Sequence, residues 1–262
     1  MTLIGALAVL LFQGGGGCPS LLREAEKAFA ARQLDAAIAG FERAVGECPP
    51  RADLHVPLGQ LLFLKGREAE AERTLKTALE IDPRHTGALY ALGRIYYEQK
   101  RFPDAIVRLQ ETVAIDPQHY KAWDNLGVCH DAVRNDAAAL KSFFRALDLV
   151  MKNHPEYDWA HANLGDFFLR REQYEKAFQL AAEAARRNPE SARNAFIAGK
   201  ALAKLERHEL SLRWLEQAVK LDAANKEAWY VLAQVYRKLG RGEEAARALE
   251  KFRGLSAQAP AK

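Results

Sequence analysis

Small and apolar residues recur in this chain every 34 positions, and that period constrains the fold more than any other feature. Ala37, Ala71 and Ala105 are one step apart, as are Phe41, Leu75 and Leu109. Pro49, Pro83 and Pro117 follow the same interval, and so do the pairs Leu58-Gly59, Leu92-Gly93 and Leu126-Gly127. A repeated unit of this length cannot bury its apolar side alone and must stack on its neighbours. Residues 86–117, TGALYALGRIYYEQKRFPDAIVRLQETVAIDP, show what one unit is. Leu89, Leu92, Gly93 and Tyr96 stand at i, i+3, i+4 and i+7, one stripe of a helix. Ala105, Leu109 and Thr112, with Ile106 and Val113 beside them, mark a second stripe. Residues 100–102 separate the two. Asp116-Pro117 closes the unit, because proline disfavours a helical conformation in the residue before it.

This spacing resembles the tetratricopeptide repeat, whose pattern is a tryptophan, Leu-Gly, a tyrosine, a small alanine, an aromatic and a closing proline. Residues 120–154 carry it best, in Trp123, Leu126, Gly127, Ala139, Phe143 and Ala146, with His130 in the tyrosine position. It continues in Leu164, Gly165, Phe168, Ala177, Ala184 and Pro189, then in Trp229, Leu232, Ala233, Tyr236, Ala245 and Leu249. Seven units fit, near residues 18–51, 52–85, 86–119, 120–157, 158–191, 192–225 and 226–253. The resemblance implies an all-α fold, a right-handed superhelical solenoid of about seven stacked helix-turn-helix repeats. The fourth unit is longer than the rest: Pro155 comes nine residues after Ala146, whereas Pro49 comes five after Ala44. Four extra residues are about one helical turn, so the second helix of that unit is expected to continue to about Lys152. Pro57 is expected at the edge of a first turn if its helix begins near Asp53 as N-cap, and to kink the helix if it begins earlier, at Pro50.

The flanks carry their own signals. Residues 3–12, LIGALAVLLF, are an unbroken apolar run followed by small residues at 14–17. Ten residues are too few to cross a bilayer as a helix but suit the core of a signal peptide. A signal peptide over 1–17 and export to a periplasmic or extracellular space are therefore expected, with no transmembrane span. The alternative is an uncleaved leader on a cytoplasmic protein, since no Lys or Arg precedes the run. Cys18 after Gly17 resembles a bacterial lipoprotein processing site, with Gly15 where that family usually has leucine, which leaves a lipid anchor at Cys18 as another alternative. Antiparallel helices in the first unit would instead bring Cys18 near Cys48, and a disulfide there would consume the sulfur that lipidation needs. The tail, 254–262, is small and polar and is expected to be disordered.

No catalytic constellation is legible, so the chain is not expected to be an enzyme or to need a cofactor. The glycines at 14–17 lack the Lys-Ser/Thr of a phosphate loop. Cys129-His130, His154 and His161 suggest zinc only until their positions are considered. The histidines at 130 and 161 fall on packing slots, and no regular set of four ligands exists. A net charge of +4 is too mild to indicate nucleic acid.

Binding is the remaining possibility. The resemblance implies a groove lined by the first helix of each repeat. On that face the first two repeats place Leu22, Phe29, Val56, Phe63 and Leu64. The middle three place Tyr90, Arg94, Tyr97, Asp124, Asn125, Asp131, Asn163, Asp166 and Arg170. The last two place Arg193, Phe196, Lys200, Lys204, Tyr230, Arg237 and Lys238, basic with aromatics between. Arg193, Phe196, Lys200 and Lys204 follow the helical period on one face, with Glu227 near its edge. An acidic segment or a C-terminal carboxylate is the ligand expected there. Asn125 and Asn163 occupy equivalent positions and could pair with a peptide backbone. The expected function is a non-catalytic protein-interaction module that binds a protein or peptide segment. The alternative is a structural scaffold subunit of an envelope complex.

Overall fold

The computed structural model describes residues 18–257, and among them the regular structure is entirely α-helical. The chain forms two compact units that divide near Asp136. The first contains α1 (Cys18–Ala30), α2 (Leu34–Glu47), α3 (Ala52–Leu64), α4 (Glu68–Ile81), α5 (Thr86–Glu98), α6 (Phe102–Ile115) and α7 (Tyr120–Ala132). The second contains α8 (Asp136–Asn153), α9 (Trp159–Arg170), α10 (Tyr174–Arg187), α11 (Ala192–Lys204), α12 (His208–Leu221), α13 (Lys226–Lys238) and α14 (Gly242–Ala257). Within the first unit every helix packs on the next, and α3 and α7 also reach α5. In the second, α9 to α14 pack in the same succession, and both α9 and α13 reach α11.

The 34-residue period is a packing rule. Ala37, Ala71, Ala105, Ala139, Ala177, Ser211 and Ala245 are all buried, one in each second helix. Opposite them, first helices carry glycine because the helices approach closely. A Cβ on Gly59 would lie 2.7 Å from Leu75 Cγ, and one on Gly199 would lie 2.7 Å from Leu215 Cγ. Those distances are well inside van der Waals contact, so the Leu-Gly pairs and the leucine sixteen residues later are one steric unit. In the sixth repeat the approach is close enough for Ser211 Oγ to donate to the Gly199 carbonyl at 2.7 Å.

The turn inside each repeat is equally regular. Arg32, Gly66, Lys100, Arg134, Glu172, Glu206 and Gly240 all adopt positive φ, between 59° and 75°. Only two are glycine, so five turns hold a side chain in the left-handed region that glycine tolerates best. The geometry persists because the next N–H returns to a helix carbonyl, as in Arg67 to Leu62 at 2.9 Å and Arg101 to Tyr96 at 2.8 Å. Four of the first helices are capped by side chains: His85, His119, Ser191 and Asn225 accept from the N–H three residues on. Second helices place an acid in the first turn, where it faces the positive helix end.

Several local expectations meet the structure here. α8 has 18 residues and reaches Asn153, so the extra turn of the fourth repeat continues its helix. The N-cap of α3 is Arg51, not Asp53, and Asp53 lies in the first turn with the Arg51 guanidinium at 3.0 Å. Pro57 therefore stands inside the helix and removes one backbone hydrogen bond. The tail is shorter than expected at its start, because α14 remains helical through Ala257. Cys18 and Cys48 are joined by a disulfide, with their Cα atoms 5.7 Å apart. That bond uses the sulfur a lipid anchor would require. The apolar run 3–12, the signal peptide expected over 1–17, and residues 258–262 lie outside the described residues.

Candidate functional site

On α9, α11 and α13, the first helices of the second unit, charged and aromatic side chains of adjacent repeats meet. Trp159, at the start of α9, lies under the Arg193 guanidinium, 5.1 Å from its ring centre. Arg193 also donates to Asn163 Oδ1 at 2.8 Å and approaches Asp166 at 3.9 Å. Asp166 holds Arg170 in an ion pair one turn along α9. Beneath this cluster the Asn194 amide donates to Asp158 at 2.7 Å and Asn188 donates to the same carboxylate oxygen at 3.3 Å. Asn194 is buried, so the polar hub fixes α11 against the turn that begins α9.

The next turn of α11 differs. The Lys200 ammonium stands over the Phe196 ring at 5.4 Å and is ion-paired with Glu227, in the first turn of α13. Lys204, Arg237 and Lys238 follow at the C-terminal ends of α11 and α13. These three are exposed and form no ion pair among the described residues. Tyr230, seven residues before Arg237 on α13, is 42% exposed, with its ring 5.1 Å from that of Phe252.

Part of the basic charge on α11 is neutralised within the chain. Arg193 and Lys200 already face carboxylates donated by neighbouring repeats, whereas Lys204, Arg237 and Lys238 do not. The asparagine pair is changed more severely. Asn163 is buried with its carbonyl oxygen occupied by Arg193, so it offers no free rung to a peptide. Asn125, in the first unit, directs its amide to the Tyr90 hydroxyl at 3.4 Å. Tyr90 there stacks on His119 at 4.5 Å and lies under Arg94 at 5.9 Å. Burial pushes its phenol up to about 12, so it acts as a neutral packing group. Of the first-unit candidates, Leu22 is buried while Phe29, Val56 and Phe63 are half-buried against the core.

Among the described residues no three His, Cys, Asp or Glu side chains are placed to hold a metal ion. Cys129 is buried, and burial pushes its thiol up to about 12, far from a reactive thiolate. His161 is buried and held down to about 4 by the same cause, a neutral packing ring. The helix caps at His85 and His119 were not read in the sequence, although each stands three residues before the first buried alanine of its helix.

Known proteins agree with this architecture. Residues 65–127 match one tetratricopeptide repeat family, and residues 22–86 and 196–260 match another of the same description. The chain is 28% identical over 211 residues to BBSome complex member BBS4 of Bos taurus, covering 67% of this chain and 40% of that protein. It is 29% identical over 118 residues to type IV pilus assembly protein PilF of Pseudomonas aeruginosa, covering 44% of this chain and 46% of the relative. The chain thus spans less than half the length of these relatives. The crystal structure of a tetratricopeptide repeat protein from Parabacteroides merdae aligns with a TM-score of 0.70 at 15% identity, covering 92% of this chain and 94% of that one. The chain belongs to the tetratricopeptide repeat family.

Proposed function

We propose that this protein is a non-catalytic interaction module whose second unit binds an acidic segment of a partner protein across α11 and α13. The observation that carries this reading is the group Lys204, Arg237 and Lys238, three exposed cations at the C-terminal ends of α11 and α13 that form no ion pair among the described residues, with the exposed Tyr230 seven residues before Arg237. Unpaired charge on one face steers an oppositely charged partner and disfavours others. Tyr230 and Phe196 supply apolar surface next to that charge, as interaction surfaces commonly require. Four cations spread over two helices, counting Lys200, suit several side-chain carboxylates better than one C-terminal carboxylate. Export is part of the proposal, supported by the Cys18–Cys48 disulfide together with the apolar run at 3–12.

A second reading makes the chain a structural subunit of a larger assembly. It is favoured by the names of two relatives, a BBSome complex member and a pilus assembly protein. The two readings separate in one titration. A glutamate-rich peptide with capped ends should bind, and its glutamine-matched counterpart should not. Binding should weaken as salt rises, because exposed charges are screened beyond roughly 8–10 Å at physiological ionic strength. Replacing Lys204 and Arg237 together by glutamate should reduce affinity by about tenfold or more while leaving the helical content unchanged. Equal affinity in wild type and double variant would remove these cations from the site. No peptide affinity, with a stable oligomer instead, would favour the structural reading.

A further inference from the structure

We propose that Glu227 is an internal competitor for the ligand: it occupies Lys200 in the free protein, and an acidic segment must displace it to use the full basic face. This inference rests on the reading that the α11–α13 face binds acidic segments. It concerns which cations are free to do so and what sets the affinity.

The two internally paired cations on this face are held very differently. Arg193 has three partners of different kinds: the Asn163 oxygen at 2.8 Å, the Trp159 ring at 5.1 Å and Asp166 at 3.9 Å. Losing one of them leaves the guanidinium in place. Lys200 has one carboxylate, Glu227, and one ring, Phe196. The pair is open to water, with side-chain exposures of 29% for Lys200 and 55% for Glu227. Exposed ion pairs of this kind contribute little to stability, so exchanging one carboxylate for another costs little. Phe196 stays beneath the ammonium during the exchange, so Lys200 keeps its position.

Glu227 also has a place to go. It lies in the first turn of α13, where the positive end of the helix favours a negative charge whether or not Lys200 is bound to it. An acidic segment lying across Lys204, Arg237 and Lys238 would extend to Lys200 only by replacing this residue. Until then the Glu227 charge repels the same ligand that the other cations attract. Glu227 would therefore lower affinity for acidic segments and favour partners with several closely spaced carboxylates over those with one.

The test uses the full chain and the capped glutamate-rich peptide, titrated by calorimetry against wild type, Glu227→Gln, Lys200→Gln and the double variant. Glu227→Gln is expected to tighten binding by roughly three- to tenfold, with a steeper salt dependence because one more cation is released to the ligand. The gain should vanish in the Lys200→Gln background, since the cycle isolates the interaction between the two residues. Unchanged or weaker binding in Glu227→Gln overturns the inference. So does a gain that survives without Lys200, which would make Glu227 a general repulsive charge. If affinity falls with Lys204→Glu/Arg237→Glu but is indifferent to Glu227→Gln, the acidic-ligand reading stands and this inference fails. If no form binds the peptide, both fall.

Discussion

Phe143→Ala is expected to destabilise the second unit by about 3–5 kcal/mol, the usual cost of deleting a buried aromatic and leaving its cavity. Phe143 is 1% exposed and meets Phe167 edge to face, with ring centres 5.7 Å apart. It stands on the recurring position shared with Phe41, Leu75 and Leu109, so the lost volume lies where a second helix meets a first helix. The control is its neighbour. Phe144, the next residue of α8, is 52% exposed, and Phe144→Ala should change stability by only about 0.5 kcal/mol. Denaturant unfolding of the two variants checks this directly. Equal midpoints would mean that the aromatic position does not anchor α8, and the reading of the repeat as a packing rule would fail there.

Breaking the Cys18–Cys48 disulfide should have a comparable but more local effect. The bridge closes a loop with a sequence separation of 30, for which the chain-entropy estimate is about 3–4 kcal/mol. The loss should concentrate in the terminal hairpin, because α1 buries only Leu22 and Ala25 among its residues. A terminal repeat has a neighbour on one side only and depends more on its own staple. Amide hydrogen exchange should show α1 losing protection in reductant or in a Cys48→Ser variant, with α5 and α6 unchanged. Protection of α1 that is indifferent to reduction would contradict this account.

Much of the fold was legible because sequence period and packing period coincide. The alanines at 37, 71 and 105, the Leu-Gly pairs and the extra turn before Pro155 each state a spacing that only stacked helical hairpins satisfy. Less was legible wherever a contact joins residues that the repeat does not align. Glu227 reaches Lys200 from the first turn of the following repeat, 27 residues away, so an inspection of one helix face at a time could not place the counter-charge. Asn163 looked free for the same reason, since Arg193 arrives from the next first helix. Pro57 and Asp53 show a different limit. Helix starts depend on which residue turns extended, and here that is Arg51, which carries no capping signal in its side chain. The non-glycine residues in the left-handed turn position were equally hidden, because the turn is enforced by its period rather than by composition.

An acidic segment bound on the first-helix face of α11 and α13 should perturb that face before any other. The most direct test is where on the chain such a segment is felt. Backbone amide shifts recorded while the capped glutamate-rich peptide is titrated should move most around 196–204 and 230–238, together with the Tyr230 ring. Shifts largest on α10 and α12, or spread evenly over both units, would mean that the segment binds elsewhere.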